Sequence, residues 1–327
     1  MKENHTSQKD TNSISVVIPL YNEENNIHPL LDLLIHALEE TGADCEIILV
    51  DDGSEDATWE QILKASREQS SVIGLKLSRN FGHQGALLAG MTKSRGKAIV
   101  TMDGDFQHPP EAIPEMYKLW QEGVDVVNAV RINEKTTSQF KRLTSEYFYK
   151  LFSFLSDVKL NKGSSDFRLI DRRVLENFLH FKDYDLFIRG AVMWLGFNTR
   201  EYPFMAEERR SGMTKFSLAK MFRFATGAIV SFSTKPLKIT FWIGIVTSGL
   251  AFAELVYVIV QYFLGNTVSG WASTLAVVCF LFGVLFIILG IIGIYLARIF
   301  NALQNRPRYV VTQEVGDAAV ATPDPRK

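Results

Sequence analysis

Cysteine is scarce. Cys45 and Cys279 are the only two in 327 residues and lie far apart. Neither a disulfide framework nor a four-cysteine metal site can be built from them, which fits a catalytic part facing a reducing cytosol. Net charge is also missing: 35 Lys and Arg against 36 Asp and Glu leave −1. No cationic field therefore argues for nucleic acid as a partner. The start, "MKENHTSQKDTNS", carries no apolar core, so it reads as a flexible tail over 1–13 and not as a signal peptide. Neither G-x-G-x-x-G after the first strand-like run nor a Walker A sequence is present. A nucleotide site in this chain must grip phosphate by other means.

Charge is nearly absent from two stretches near the C-terminus. One runs from Ile239 to Leu264 with Glu254 its only acid, and one from Leu275 to Leu296 with no charge. Each reaches the roughly 20 residues that cross a hydrocarbon core. The connector "GNTVSGWAS" has no Lys or Arg, whereas Lys235, Lys238, Arg298, Arg306 and Arg308 flank the pair. The positive-inside rule gives a membrane hairpin over 237–298 with both outer flanks cytoplasmic. Trp242, Trp271 and Tyr295 suit interfacial anchors, and Glu254 is expected to face another helix. Before the hairpin, Leu218, Met221, Phe222, Ala225, Ile229 and Phe232 recur at helical spacing with Lys220 and Arg223 between them. That pattern predicts an amphipathic helix lying on the membrane over 217–236, ended by Pro236. Residues 299–327 read as a cytoplasmic tail, disordered in "GDAAVATPDPRK".

Residues 14–216 alternate in character. Short β-branched runs such as "SVVIPL", "CEIILVDDG", "VIGLKLS", "AIVTMD" and "VDVVNAVR" alternate with helical stripes. Ile27, Leu30, Leu31, Leu34, Ile35 and Leu38 form the first stripe, with Gly42 as its stop. Such alternation predicts an α/β domain with a mostly parallel sheet, whose ligands sit beyond the carboxyl ends of the strands. Three polar clusters fall at those ends: "PLYNEE", "DDGS" and "DGDFQ". In "VTMDGDFQHPPEAI" the acids Asp103 and Asp105 form either a turn rich in breakers or a grip for Mg²⁺ or Mn²⁺ on a diphosphate, with a turn at Gly104.

The segments "VVIPLYNEE", "VDDGSED", "LSRNFGHQGAL", "MDGDFQHPPE" and "SSDFRLIDR" occur in the order and spacing of family 2 glycosyltransferases of the GT-A fold. With two C-terminal spans the chain resembles the polyisoprenyl-phosphate glycosyltransferases of that family. The resemblance implies that Pro19, Tyr21, Asn22 and Glu23 line a nucleotide pocket, that Asp51 and Asp52 hold base and ribose, and that Arg79, Asn80 and Gly82 border the donor. Asp103 and Asp105 would serve the metal, with Gln107 as a polar contact. Asp166 matches the position usually given as catalytic base. A phosphate monoester with a second pKa near ~6 hardly needs one, so Asp166 would act either as base or as an orienting group. Arg168 could guide the acceptor phosphate, and Arg210, Gly212, Thr214 and Lys215 fit a stretch that closes over the donor diphosphate. Trp194 would stack on a sugar or fill the core, and His83 and His108 lie near the site as supporting or structural histidines and not as ligands.

The function implied is inverting transfer from a UDP-sugar to polyprenyl (undecaprenyl) phosphate, glucose before N-acetylglucosamine. It takes place at the cytoplasmic face of a bilayer and serves cell-envelope glycan modification. A homo-oligomer, a downstream flippase and an outward-facing glycosyltransferase are the partners implied. A processive polysaccharide synthase is the enzyme alternative, although its extra spans and Q-x-x-R-W stretch are missing here. An inactive membrane scaffold would have lost the acids that this chain keeps.

Overall fold

The computed structural model describes residues 13–132, 164–181, 188–205, 233–265, 270–304 and 306–316. The chain divides into two compact units. One comprises Met1–Ser145, Lys159–Phe216 and Pro307–Lys327, the other Glu146–Val158 and Ser217–Arg306.

The first unit alternates as the sequence predicts. Its first half runs β1 (Ser13–Leu20), α1 (Ile27–Glu39), β2 (Asp44–Asp51), α2 (Thr58–Glu68), β3 (Val72–Leu77), α3 (His83–Lys93) and β4 (Ala98–Thr101). A 3-10 turn (Pro110–Ala112), α4 (Ile113–Gln121) and β5 (Val126–Ile132) follow. Then come β6 (Ser164–Asp171), α5 (Arg172–Leu179), α6 (Ile188–Trp194) and β7 (Thr199–Met205). Among the described residues the strands form one sheet in the order β7-β5-β6-β4-β1-β2-β3-β8, where β8 is Val311–Val315. Neighbours pair in parallel except β6, antiparallel to β4 and β5, and β8, antiparallel to β3.

Burial explains the sequence patterns. From Ile14 onward β1 is buried on both faces, because helices cover both sides of the sheet. On α1 the apolar stripe of Ile27, Leu30, Leu31, Leu34 and Leu38 is buried against that sheet. After α1, Gly42 takes the left-handed conformation at φ 61° that releases the chain into β2.

Other features depart from the expectation or refine it. The stretch 299–327, read as tail, holds the last turn of a helix and then β8, which closes the β3 edge of the sheet. Val315 packs on the core while residues 311–314 are exposed, so the strand carries only a short and weak hydrophobic pattern. The chain bends at Gly104 as expected, over 104–106, with the buried Phe106 in the left-handed conformation at φ 62°. Pro236 stands in the first turn of a span, not at the end of the preceding helix. Residues 217–232 of the expected amphipathic helix lie outside the described residues.

The second unit holds α7 (Lys235–Phe263) and α8 (Trp271–Leu303), both long and apolar enough to cross a membrane. The Tyr295 hydroxyl donates to the Ser233 carbonyl at 2.8 Å, which sets the start of α7 beside the end of α8 and makes the pair antiparallel. Glu254, expected to face another helix, is exposed on α7.

Candidate active site

Strand order places the site. From β1 the chain steps to β2 and β3 on one side, then crosses to β4 on the other. Crevices form beyond the carboxyl ends at such a switch point. There lies a cavity of about 540 Å³. Pro19, Leu20, Tyr21 and Glu23 reach it from β1, Asp52 from β2, and Asn80, Gly82 and His83 from the β3–α3 loop. Asp103, Gly104 and Asp105 follow β4, and Asp166 and Arg189 complete the wall from β6 and α6.

Backbone hydrogen bonds hold the loops after β1, β2 and β3 together. The Asn22 amide donates to Ser54 Oγ and the Glu55 amide to Asn22 Oδ1, each at 2.9 Å. Asn22 itself sits at φ 56°, a conformation Asn tolerates, and serves as the tie and not as cavity wall. Asp52 accepts from the Phe81 amide at 2.7 Å and the Gly82 amide at 2.9 Å, which fixes the β3–α3 loop. Burial raises its carboxyl above the ordinary value, with those two amides opposing. Gly53 makes this approach possible, since a Cβ there would stand 2.5 Å from the Arg79 carbonyl carbon. Asp51 is fully buried, accepts from the Ser54 amide, and lies outside the cavity wall. Arg79 is exposed over the Phe81 ring and is likewise outside the wall.

Asp103 and Asp105 both face the cavity. Asp105 accepts from the Gln107 amide at 3.1 Å, which closes the turn. The Gln107 side chain lies near Arg131 instead, with Oε1 3.5 Å from Nη1, and is not part of the wall. His108 serves Asp103 from behind: its Nδ1 accepts from the Asp103 amide at 2.9 Å while its ring stacks on Phe167. Burial lowers its pKa, as befits a neutral structural imidazole. Asp103 Oδ1 is a buried oxygen without a hydrogen-bond partner. Among the described residues no group of three or more His, Cys, Asp and Glu could hold a metal ion. A cation here would need oxygens from a ligand as well.

Asp166 arrives by register. Antiparallel β6 sets Arg168 opposite Thr101, so two residues further on Asp166 falls beside Asp103. Arg189 Nε and Nη2 bind its two oxygens at 2.7 Å each. Arg168 Nη2 stands at 3.3 Å and His83 Nε2 at 3.3 Å. Burial alone would raise the Asp166 pKa, but bonds from Arg189 and His83 and the charges of Arg189 and Arg168 hold it well below the usual carboxylate range. Arg168 is buried beneath, and burial pushes its guanidinium down to about 10. It is therefore outside the cavity wall, where Arg189 stands instead. His83, the first residue of α3, bridges the two acids, with Asp103 Oδ1 at 3.5 Å. Burial disfavours its charged form, yet Asp166 and Asp103 raise its pKa.

Two wall residues were thus poorly legible. His83 read as a supporting or structural histidine, although its place directly after a strand end was a signal. Arg189, in "RGAVMWLGF", had no assignable role, because only folding carries α6 to β6. Trp194 is 63% exposed, edge-on to Phe181, and away from the cavity. Arg210, Gly212, Thr214 and Lys215 lie outside the described residues.

A mostly parallel α/β sheet with paired acids at its switch point defines a nucleotide-handling transferase domain. Residues 15–179 match glycosyl transferase family 2, and the chain belongs to that family. It is a glycosyltransferase of GT-A fold. It is 38% identical over 303 residues to an uncharacterized glycosyltransferase, YkcC, of Bacillus subtilis, covering 92% of this chain and 94% of that protein. To the bactoprenol glucosyl transferase of Shigella phage SfII it is 36% identical over 299 residues, covering 91% and 97%. A solved mannosyltransferase from Pyrobaculum calidifontis, in complex with GDP-Man and Mn²⁺, is 16% identical with a TM-score of 0.46, covering 68% and 64%.

Proposed function

We propose that the protein moves glucose from UDP-glucose to polyprenyl phosphate at the cytoplasmic face of the plasma membrane. The carrying observation is one cavity whose wall joins the acids Asp103 and Asp105 to the pair Asp166 and Arg189. Kinship with a bactoprenol glucosyl transferase over nearly the whole chain supports both the sugar and the lipid class.

Pro19, Tyr21, Glu23 and Asn80 offer the nucleotide its nearest contacts, and Asp52 holds the loop that carries Asn80. The Asp103 oxygen that makes no hydrogen bond, with only His83 at 3.5 Å, and the facing Asp105 fit a divalent cation, Mg²⁺ or Mn²⁺, shared with the donor diphosphate. Bound there, it would neutralise charge developing on departing UDP. Reaction is a single inverting displacement. An acceptor phosphate oxygen forms a bond to the anomeric carbon, the bond to the diphosphate oxygen breaks from the opposite face, and its electron pair leaves with UDP. Antiparallel α7 and α8 suit a hairpin with both outer flanks cytoplasmic, which keeps the acceptor's tail in the bilayer.

Purified full-length protein in lipid nanodiscs, given undecaprenyl phosphate and a panel of sugar nucleotides, tests the reading. UDP release with formation of glucosyl lipid is expected. Faster turnover with UDP-N-acetylglucosamine would replace the donor, and no product from any donor would end the transferase reading.

A further inference from the structure

Asp166 holds the position from which a proton is commonly drawn, but its surroundings suit a different task. Its carboxylate already receives a two-pronged arginine, a second arginine and a histidine. A carboxylate so engaged is a weak proton acceptor, and an acceptor phosphate that is largely dianionic above its second pKa near ~6 has no proton to give. The groups that meet Asp166 are two arginines and a histidine, so cationic side chains gather on this carboxylate at the cavity wall.

Arg168 is sealed beneath the wall, whereas Arg189 is in it. Two of the five guanidinium N–H donors of Arg189 go to Asp166, which fixes the plane of the fork. A planar, charged fork locked in orientation is the standard means of recognising a phosphate. His83, 3.3 Å from Asp166 and 3.5 Å from Asp103, marks how close this fork lies to Asp103. A phosphate oxygen held there would stand within reach of a sugar whose diphosphate lies at Asp103.

We propose that Arg189 is the residue that binds the acceptor's phosphate monoester, and that Asp166 is a positioning residue that aims Arg189 and takes no proton. This rests on the reading that the acceptor is a lipid phosphate. The negative charge of Asp166 is then compatible with an anionic acceptor, because two arginines and a histidine already engage it.

Two measurements on the full-length protein in nanodiscs test this. In Arg189→Gln, KM for undecaprenyl phosphate should rise about tenfold to a hundredfold, while KM for UDP-glucose and the Kd for UDP stay at the wild-type values. Arg189→Lys, which keeps charge but loses the fork, should fall between. An unchanged acceptor KM, or equal loss of UDP binding and acceptor binding, overturns the assignment. The second measurement uses wild-type protein and the acid limb of kcat/KM. Replacing the phosphate acceptor by a phosphonate analogue, whose second ionisation lies higher, should move that limb upward. A limb that stays in place reports an enzyme base and overturns the role given to Asp166. Absence of any wild-type turnover would instead count against the transferase reading itself.

Discussion

Arg189 grips Asp166 by both carboxylate oxygens at 2.7 Å, from a helix 23 residues further along the chain. Beneath them Arg168 is buried, with Asp166 its only ion-pair partner among the described residues. The three residues form a charge cluster whose parts depend on one another.

Removing Asp166 should therefore cost stability. Asp166→Asn leaves Arg168 buried without a counter-charge, a loss on the order of 3–5 kcal/mol. The paired change Asp166→Leu with Arg168→Met should cost less than Asp166→Asn alone, since no buried charge remains. Chemical denaturation followed through the tryptophan signal measures both. A double variant less stable than the single one would show that the cluster is not coupled in this way.

Acid should weaken the same cluster. The folded-state pKa of Asp166 lies below its unfolded value, so its contribution is complete above about pH 4 and is lost as pH falls through the folded value. Thermal unfolding scanned downward from neutral pH should show Tm falling in that acid window. Asp166→Asn should show a flatter profile there.

Metal dependence should rest on both acids of the β4 turn. Asp105→Asn and Asp103→Asn should each lower kcat by about a hundredfold or more, given several kcal/mol of charge stabilisation lost. Isothermal titration with Mn²⁺ in the presence of UDP should show weakened metal binding in each. Full divalent-dependent transfer by Asp105→Asn would remove the metal assignment.

The close passage at Gly53 should be intolerant of a side chain. Gly53→Ala faces both φ 70° and a backbone carbon 2.5 Å from the new Cβ. The β3–α3 loop must then move, at a cost above about 1 kcal/mol. Because that loop carries Asn80, Gly82 and His83, UDP affinity should fall with stability. Unaltered UDP affinity would separate the loop from the nucleotide.

Topology is open to chemical labelling. With Cys45 and Cys279 replaced by Ser, a single cysteine at Asn266 should react with an impermeant maleimide only from outside the cell. One at Asn305 should react only after permeabilisation. The reverse pattern would invert the hairpin.

Local pattern determined much of this protein. Continuous apolar strands, helical stripes and acid-tipped strand ends foretold the parallel half of the sheet, because those signals are carried within each segment. Length and missing charge foretold α7 and α8 for the same reason. Only the tertiary structure decided the rest. Arg168 was a candidate ligand until β6 buried it, and Arg189 had no evident role until α6 brought it to Asp166. Asp51 and Asp52 look alike in sequence, yet one is sealed in the sheet and the other fixes a loop in the cavity wall. The strand β8 had only a weak hydrophobic signal, since it packs on the core through Val315 and is otherwise held by pairing with β3. Which charges meet depends on strand register and on contacts far apart in sequence, and neither is written in the spacing of residues along one segment.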